Sequence, residues 1–370
     1  MSGFPALERP VGGSLIVHAS ESWYDDVASG RFDFFEKLAA KAQAEGRTTG
    51  LMRAKGAASV AALRQPEHVH VLIGPRQPVG PGVLHAHPGY LRGFWYLDPA
   101  GVNMDSSLLR AVFDPAAIDA KAARYFFDGV SGWNLRENVS KFPQAARGAL
   151  PPAFAVVFLQ EIEHFANPVH YIDTQKILKL VAREADGRRV YVKLHPAQGD
   201  AMRAMVAQML RKAGNLQLSA ASIHDLAQAS DLVVTQNSAA GFEALMQRKP
   251  VITCARCDYH HATVVAKRPA QLVQALHVAA QAQAGFAFEK YLYWFLAQQL
   301  LEPAKPEFAD RVWARVMARV QGMAATDGGV VEPVQGKTWA ADQPVMTDGA
   351  DDLKSEQQVT GPGAIPDRRP

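Results

Sequence analysis

The sequence has few of the features that mark specialised classes of protein. Two cysteines in 370 residues are too few for a disulfide framework, which favours a reducing compartment. Basic and acidic residues number 39 and 36, and the formal charge of +3 does not indicate a nucleic-acid-binding protein. No segment approaches the roughly 20 apolar residues of a membrane-spanning helix, and the first residues do not have the pattern of a secretory signal. We therefore expect a cytoplasmic protein, with at most a peripheral contact with the inner membrane.

Several common catalytic and phosphate-binding motifs are also missing. The chain has no G-x-G-x-x-G after a predicted strand and no G-x-x-x-x-G-K-[ST], which disfavours a dinucleotide fold and excludes a P-loop. Neither H-E-x-x-H nor G-x-S-x-G occurs, so the zinc-protease and serine-hydrolase signatures are absent as well.

The middle of the chain carries the clearest structural pattern. Short apolar runs at Ala153–Leu159, Val190–Leu194, Leu232–Thr235 and Val251–Thr253 alternate with amphipathic stretches at helical spacing. This alternation predicts βαβ units and a parallel sheet that is covered on both faces. A weaker version precedes it, with a strand at Leu15–Ala19. The predicted fold is α/β, with two Rossmann-like domains that face a cleft.

Composition and proline positions predict the domain boundaries. The first Rossmann-like domain is expected over residues 1–150, because Pro151-Pro152 directly precedes the strong strand. The second Rossmann-like domain is expected over 151–285, and helices that dock the two domains over 286–322. Residues 323–370 lose apolar periodicity and are rich in Gly, Pro, Asp and Gln, which predicts a disordered tail.

Two polar groups follow predicted strands of the second domain, where open parallel sheets bind ligands. Lys193 and His195 end one strand, and an imidazole there could donate to a phosphate or sugar oxygen. The run from Asn237 and Ser238 through Gly241 to Glu243 leads from a strand into a helix. Small residues there let backbone amides approach an anion, and Glu243 could accept both hydroxyls of a ribose. Ordinary alternatives stay open, namely a histidine packed at a strand end and a capped helix.

In order, these segments resemble a family. The run from Val190 to Val251, with its His-Pro pair, S-x-x-G-F-E-A-L stretch and following K-P-V-I, is similar to the nucleotide-sugar half of GT-B glycosyltransferases. More narrowly, it resembles the bacterial capsule polysaccharide biosynthesis and export family, which includes retaining β-Kdo transferases that use CMP-Kdo. The loop with Arg92 and the segment with Gln160 are similar to further motifs of that family. The likeness covers roughly residues 85–300.

The resemblance implies transfer of a sugar, plausibly Kdo from CMP-Kdo, to a glycan or glycolipid acceptor. It implies no metal and no cofactor, and its other expected partner is the capsule assembly complex. The Kdo transferases place a nucleophilic aspartate a few residues beyond the glutamine, whereas this chain has Glu161 and Glu163 there. Either glutamate could take that role, or both could be solvated loop residues. A nucleotide-sugar epimerase and a non-catalytic assembly or export component are therefore alternatives.

Two further segments have competing interpretations. Cys254 and Cys257 have a spacing that suits zinc or redox chemistry, with His260 and His261 nearby, but a small loop near the donor base is favoured. The aromatic run from Phe286 to Leu301 could lie at a membrane interface. A buried helix that docks the domains is the favoured alternative.

Overall fold

A computed structural model of the chain describes residues 4–7, 13–74 and 78–325. They form two compact units, the first made of residues up to Ser107 together with those from Gln299 onward, and the second made of Leu108–Gln298. Both units contain a largely parallel sheet, which confirms the predicted α/β class with two Rossmann-like sheets. The predicted tail lies outside the described residues from 326 onward. Within the described part, no helix is both long and apolar enough to cross a membrane.

The described residues contain eleven strands and eleven α-helices. The strands are β1 (Leu15–Ala19), β2 (Thr49–Arg53), β3 (Val69–Ile73), β4 (Val83–Pro88), β5 (Trp95–Asp98), β6 (Ala153–Phe158), β7 (Val190–Lys193), β8 (Leu216–Leu218), β9 (Ser230–Thr235), β10 (Val251–Thr253) and β11 (Val264–Val265). The helices are α1 (Glu21–Ala28), α2 (Asp33–Ala44), α3 (Ala57–Ala62), α4 (Ala120–Arg136), α5 (Thr174–Glu184), α6 (Asp200–Lys212), α7 (Ile223–Ala229), α8 (Ala239–Ala244), α9 (Pro269–Ala282), α10 (Phe288–Leu292) and α11 (Phe308–Ala325).

The first unit is built on a five-stranded sheet in the order β2-β1-β3-β4-β5. All neighbours are parallel except β5, which runs antiparallel to β4. The order 2-1-3-4-5 is one of the two common doubly wound arrangements. Strand β1 is buried along its whole length, and its alternating side chains face two different layers. Leu15 and Val17 pack in a core with α2 and α11, whereas Ile16 packs with Met52 and Ala62.

Two distant parts of the sequence complete the first unit. The backbone of Trp95 in β5 exchanges two hydrogen bonds with Leu301, with N···O distances of 2.7 and 2.9 Å. Trp95 also stacks on Phe34 of α2, with ring centroids 4.8 Å apart. Phe308 and Val316 of α11 join the same buried core. Residues from Gln299 onward are therefore a structural part of the first unit.

The second unit contains a six-stranded, wholly parallel sheet in the order β11-β10-β9-β6-β7-β8. Counted along the chain within the unit, this is the order 3-2-1-4-5-6 of Rossmann folds. All six residues of β6 are buried, and β6 pairs with β7 on one side and β9 on the other. The strand order therefore reverses beside β6.

Residues 108–150 lie in the second unit, together with the sheet that follows them. Helix α4 packs against α10, and Arg248, near the end of α8, stacks its guanidinium over Phe127 at 4.6 Å. The predicted boundary at residue 150 instead separated these elements from the second sheet.

The aromatic run is short α-helix α10 followed by a π-helical turn over Tyr293–Gln299. Most of its large side chains are buried inside the second unit, where Tyr291 and Trp294 contact Phe113 and Phe295 contacts Phe242. Tyr291 and Phe295 are 0% exposed, so they are part of the core and do not face a membrane surface.

Three buried histidines lie close together in the first unit, His18 on β1, His70 on β3 and His68 directly before β3. His18 Nε2 is 3.0 Å from His70 Nδ1, and His18 Nδ1 is 2.8 Å from the Ser59 hydroxyl. His68 Nδ1 accepts a hydrogen bond from the Ser14 amide at 3.2 Å. Burial lowers the pKa of His18 to about 3 and that of His70 to about 4, and smaller electrostatic contributions in the same direction come from His70 on His18 and from His68 on His70.

These pKa values predict a loss of stability in mild acid. The unfolded chain binds protons at His18 and His70 below about pH 6.5, whereas the folded chain does not until about pH 4. We expect the free energy of unfolding to fall between pH 7 and pH 5, by about 2 kcal/mol for each buried histidine. Urea unfolding at the two pH values measures this, and equal stability at both would contradict it.

Two helical glycines predict opposite responses to alanine. A Cβ on Gly241 in α8 would lie 2.8 Å from both Thr235 Cγ2 and Tyr259 Oη, whereas one on Gly132 in α4 meets nothing within 4 Å. We expect Gly241→Ala to lower the free energy of unfolding by about 1–3 kcal/mol through overpacking. Gly132→Ala should raise it by about 0.5–1 kcal/mol through helix propensity. Chemical denaturation compares the two, and equal effects would show that the packing around Gly241 is not tight.

Candidate functional site

The reversal of strand order beside β6 defines a crevice in the second unit. Ligands of open α/β sheets bind outside the carboxyl ends of the strands at such a switch point. Strand β6 is followed there by Gln160 and Glu161, β9 by Gln236–Ser238, and β7 by Leu194 and His195. The structure thus places the sequence-predicted groups of three different strands at one edge of the sheet.

Lys193 and His195 differ in their availability. The Lys193 ammonium donates to the carbonyls of Ala220 and Ala221, at 3.2 and 2.6 Å. His195 Nδ1 accepts a hydrogen bond from the Ala197 amide at 3.2 Å, which puts the proton of the neutral ring on Nε2. Burial lowers the pKa of His195 to about 4, with a smaller contribution from the Lys141 charge. At neutral pH, His195 is therefore an uncharged hydrogen-bond donor through Nε2.

Glu161 is joined to the His195 turn by one buried side chain. Gln198, which is 4% exposed, donates from its amide to Glu161 Oε2 and accepts from the His195 backbone amide at 3.3 Å. His164 Nδ1 lies 3.6 Å from Glu161 Oε1. The Glu161 side chain retains 23% exposure, so its carboxylate is oriented and still accessible.

Glu163 has a different environment. Its Oε1 accepts three hydrogen bonds, from the Thr174 amide at 2.6 Å, the Thr174 hydroxyl at 2.5 Å and the Gln236 side-chain amide at 2.8 Å. These contacts connect the loop after β6 to the start of α5 and to the end of β9. The arrangement suits a structural carboxylate, and Glu161 is the better placed of the two for chemistry.

The segment from β9 into α8 is closely packed. Ser238 caps α8 by accepting from the Ala240 amide at 3.3 Å, as its type predicts, and its carbonyl accepts from the Tyr259 hydroxyl at 2.7 Å. Asn237 donates to the Arg256 carbonyl at 3.0 Å. Gly241 lies against Thr235 and Tyr259, so its lack of a side chain serves packing.

Glu243 is almost wholly buried, with 1% exposure. Its Oε1 accepts from the Ser140 hydroxyl at 2.8 Å, and its Oε2 lies 3.8 Å from His224 Nε2. His224 donates from the same nitrogen to the Val139 carbonyl at 2.8 Å. A ribose would have to displace these neighbours to reach Glu243, so the closed geometry favours a role in holding residues 139–141.

Residues 138–148, which we call the strap, cover this part of the site. The sequence patterns missed the strap, because it has no helical or strand periodicity. It is fixed to α7 at both ends. Asn138 accepts from the Ser222 hydroxyl at 2.6 Å, and Asp225 accepts from Arg147 Nε and, at 2.8 Å, from the Gly148 amide. The Asp225 side chain is 6% exposed and that of Arg147 is 34% exposed, so the carboxylate of this ion pair is buried and the guanidinium reaches solvent.

Lys141 lies on the strap between two residues that contact the site. Ser140 hydrogen-bonds Glu243, and the Phe142 ring lies edge-on to the His195 ring with centroids 5.5 Å apart. The half-buried Lys141 ammonium interacts electrostatically with Glu243 and His195. Desolvation lowers its pKa, and the Glu243 carboxylate raises it in part. No sequence motif marked this lysine.

The remaining predicted residues lie as follows. The Oε1 atom of Gln160 is buried and has no hydrogen-bond partner among the described residues. Arg92 lies in the loop between β4 and β5 of the first unit. Cys254 and Cys257 are buried free thiols, and burial raises the pKa of Cys254 to about 12 and that of Cys257 well above its usual value. Within the described ranges, no three His, Cys, Asp or Glu side chains are grouped so that they could hold a metal ion.

Comparison with known proteins shows which family and which solved structures the chain is similar to. Residues 164–298 match the family described as capsule polysaccharide biosynthesis protein. The chain is similar to the β-Kdo 2,7 transferase structure of KpsC from Thermosulfurimonas dismutans, with 14% identity and a TM-score of 0.50, over 82% of this chain and 99% of that one. The β-Kdo 2,4 transferase structure of the same KpsC is 17% identical, with a TM-score of 0.47, over 73% of this chain and 91% of that one. No curated protein sequence matches the chain significantly.

The two Rossmann-like sheets and the crowded switch point define an α/β protein of the GT-B-like class. Residues 164–298 match the model of the capsule polysaccharide biosynthesis family, which confirms the resemblance found in the sequence. At 14% identity, the likeness to the KpsC structure shows a shared fold.

The different environments of Glu161 and Glu163 predict different losses of stability. Glu163→Ala removes the acceptor of three hydrogen bonds and should lower the free energy of unfolding by about 2–3 kcal/mol. Glu161→Ala removes a partly exposed group and should cost about 1 kcal/mol or less. Urea unfolding of both variants measures the difference. A larger loss for Glu161→Ala would reverse the two assigned roles.

Proposed function

We propose that the chain is a glycosyltransferase of capsule polysaccharide biosynthesis that transfers a sugar from a nucleotide donor, CMP-Kdo, to a glycan or glycolipid acceptor. The observation that carries this proposal is the connected group Glu161–Gln198–His195 at the switch point of the second unit's sheet. It lies in and next to the residues that match the capsule family. Action at the inner membrane, beside a capsule assembly complex, is part of the same proposal.

His195 is proposed to act on the phosphate side of the donor. Its Nε2–H is fixed by the hydrogen bond at Nδ1, so it can donate to a phosphate oxygen without first losing or gaining a proton. Lys193 is held by two backbone carbonyls, which suits it to keeping the strand end in place. The ammonium of Lys193 is therefore proposed to act indirectly.

Glu161 is proposed to be the nucleophile at the anomeric carbon. Its carboxylate would attack that carbon as the bond to the phosphate oxygen breaks, which gives a glycosyl ester and releases the nucleotide. The acceptor hydroxyl would then displace Glu161 and pass its proton to the released carboxylate, and two inversions retain the configuration. Gln198 orients the carboxylate for the first step. Side chains supply the charge neutralisation in this scheme, with no metal or cofactor.

The proposal predicts donor-specific binding and acceptor-dependent turnover. A thermal-shift screen with CMP, UDP, GDP, ADP and NAD should show a shift with CMP, because a ligand of the folded state raises stability.

CMP release from CMP-Kdo should then require a synthetic Kdo-terminated glycolipid and persist in EDTA. Glu161→Gln should lower kcat by at least about 100-fold with unchanged CMP binding. Glu163→Gln is the matched control and should keep most activity.

Other outcomes identify the alternatives. Conversion of the donor sugar without acceptor would indicate an epimerase, and binding without turnover would indicate a non-catalytic assembly component. A shift with UDP or GDP alone would keep a nucleotide-sugar site and reject Kdo. Full activity of Glu161→Gln would end its assignment as the nucleophile.

A further inference from the structure

The charge balance at the switch point is incomplete if only the strand-end residues are considered. A nucleotide donor carries a phosphate that becomes more negative as the sugar leaves. Lys193 is bonded to the Ala220 and Ala221 carbonyls, and His195 is uncharged at neutral pH. His195 therefore brings no positive charge to the leaving group, and the Lys193 ammonium, although charged, donates to two backbone carbonyls.

The strap brings such a charge to the same place. His195 follows β7 and Glu243 lies in α8 after β9, and these two strands flank β6. Lys141 lies on the strap between Ser140, which hydrogen-bonds Glu243, and Phe142, whose ring contacts His195, so the strap carries it between the residues that follow these two strands. It forms no hydrogen bond with a residue that the structure describes, so its three N–H donors are available to a ligand.

We propose that Lys141 binds the phosphate of the nucleotide donor, and that Ser140 and Glu243 hold it in position. This inference rests on the proposed function, since it names the residue that binds the donor phosphate at that site. The Ser140–Glu243 hydrogen bond fixes the residue before Lys141, and the Phe142–His195 ring contact fixes the residue after it. Lys141 and the Nε2–H of His195 would then contact one phosphate from two sides.

The energetics of Lys141 agree with this role. Desolvation disfavours its charged form, and the single buried carboxylate of Glu243 compensates for that only in part. A bound phosphate would add a second negative partner and complete the compensation. Lys249 provides a contrast within the same unit, because its ammonium donates to the Gln228 and Ser230 carbonyls at 2.9 and 2.8 Å.

The test separates the phosphate from the nucleoside. Calorimetry would measure the binding of CMP and cytidine, and of UDP and uridine, to the full chain and to Lys141→Met. We expect Lys141→Met to lower the affinity for CMP by about 10- to 100-fold, toward the affinity for cytidine. The affinity for cytidine itself should change little. Lys141→Arg should recover part of the loss, because it restores the charge.

Three controls keep the outcome interpretable. Lys249→Met removes a lysine that bonds only backbone carbonyls, and it should leave the ratio of CMP to cytidine affinity unchanged. Lys141→Met/Glu243→Gln removes both buried charges and should show the same lost ratio without an unpaired carboxylate. Ser140→Ala should give a smaller loss, confined to CMP.

The results distinguish the two levels of the proposal. Suppose that the full chain binds CMP or UDP, and that Lys141→Met lowers the affinities for nucleotide and nucleoside by the same factor or leaves both unchanged. The assignment of Lys141 is then wrong, while the nucleotide site stands. If the full chain binds no nucleotide, the proposed function fails and the assignment fails with it.

Discussion

The reversal of strand order beside β6 is the constraint on which the second unit's site depends. A parallel sheet places all of its carboxyl ends at one edge, and the crossovers that leave the neighbouring strands β6 and β9 run in opposite directions, which opens a crevice between them. Glu161, His195 and Gln236 reach that crevice because each follows a buried strand that cannot shift without exposing its apolar face. The chemistry of the site thus follows from strand order, before any single side chain is considered.

Sequence patterns could predict this framework because it is built from short-range regularities. The apolar runs at Ala153–Leu159 and Leu232–Thr235 are strands because both of their faces are covered, and continuous burial appears directly in the sequence. The same patterns identified His195 and Ser238 as strand-end and cap residues. They could not rank Glu161 above Glu163, because the difference lies in partners such as Thr174 and Gln198, which are distant in sequence.

The strap could not be predicted for a related physical reason. It has no regular backbone hydrogen bonding of its own, and its conformation is fixed by Asp225 and Ser222, which lie about 80 residues further along the chain. Its contribution also changes the meaning of Glu243. The carboxylate looked like a ribose acceptor when only α8 was considered, but Ser140 and His224 surround it in the folded chain. Long-range polar contacts of this kind leave no periodic signal.

The return of the chain to the first unit has a consequence for synthesis. The core under β1 and β5 includes Leu301, Phe308, Val312 and Val316, so the part of the first unit before Ser107 lacks some of its interior until these residues have left the ribosome. The second unit is continuous in sequence, and all of its residues have been synthesised once the chain reaches Gln298. During translation the second unit can therefore complete its core first. The apolar strands of the first unit stay exposed until α11 has been synthesised and can pack on them. A chain that is truncated before α11 would leave those strands uncovered.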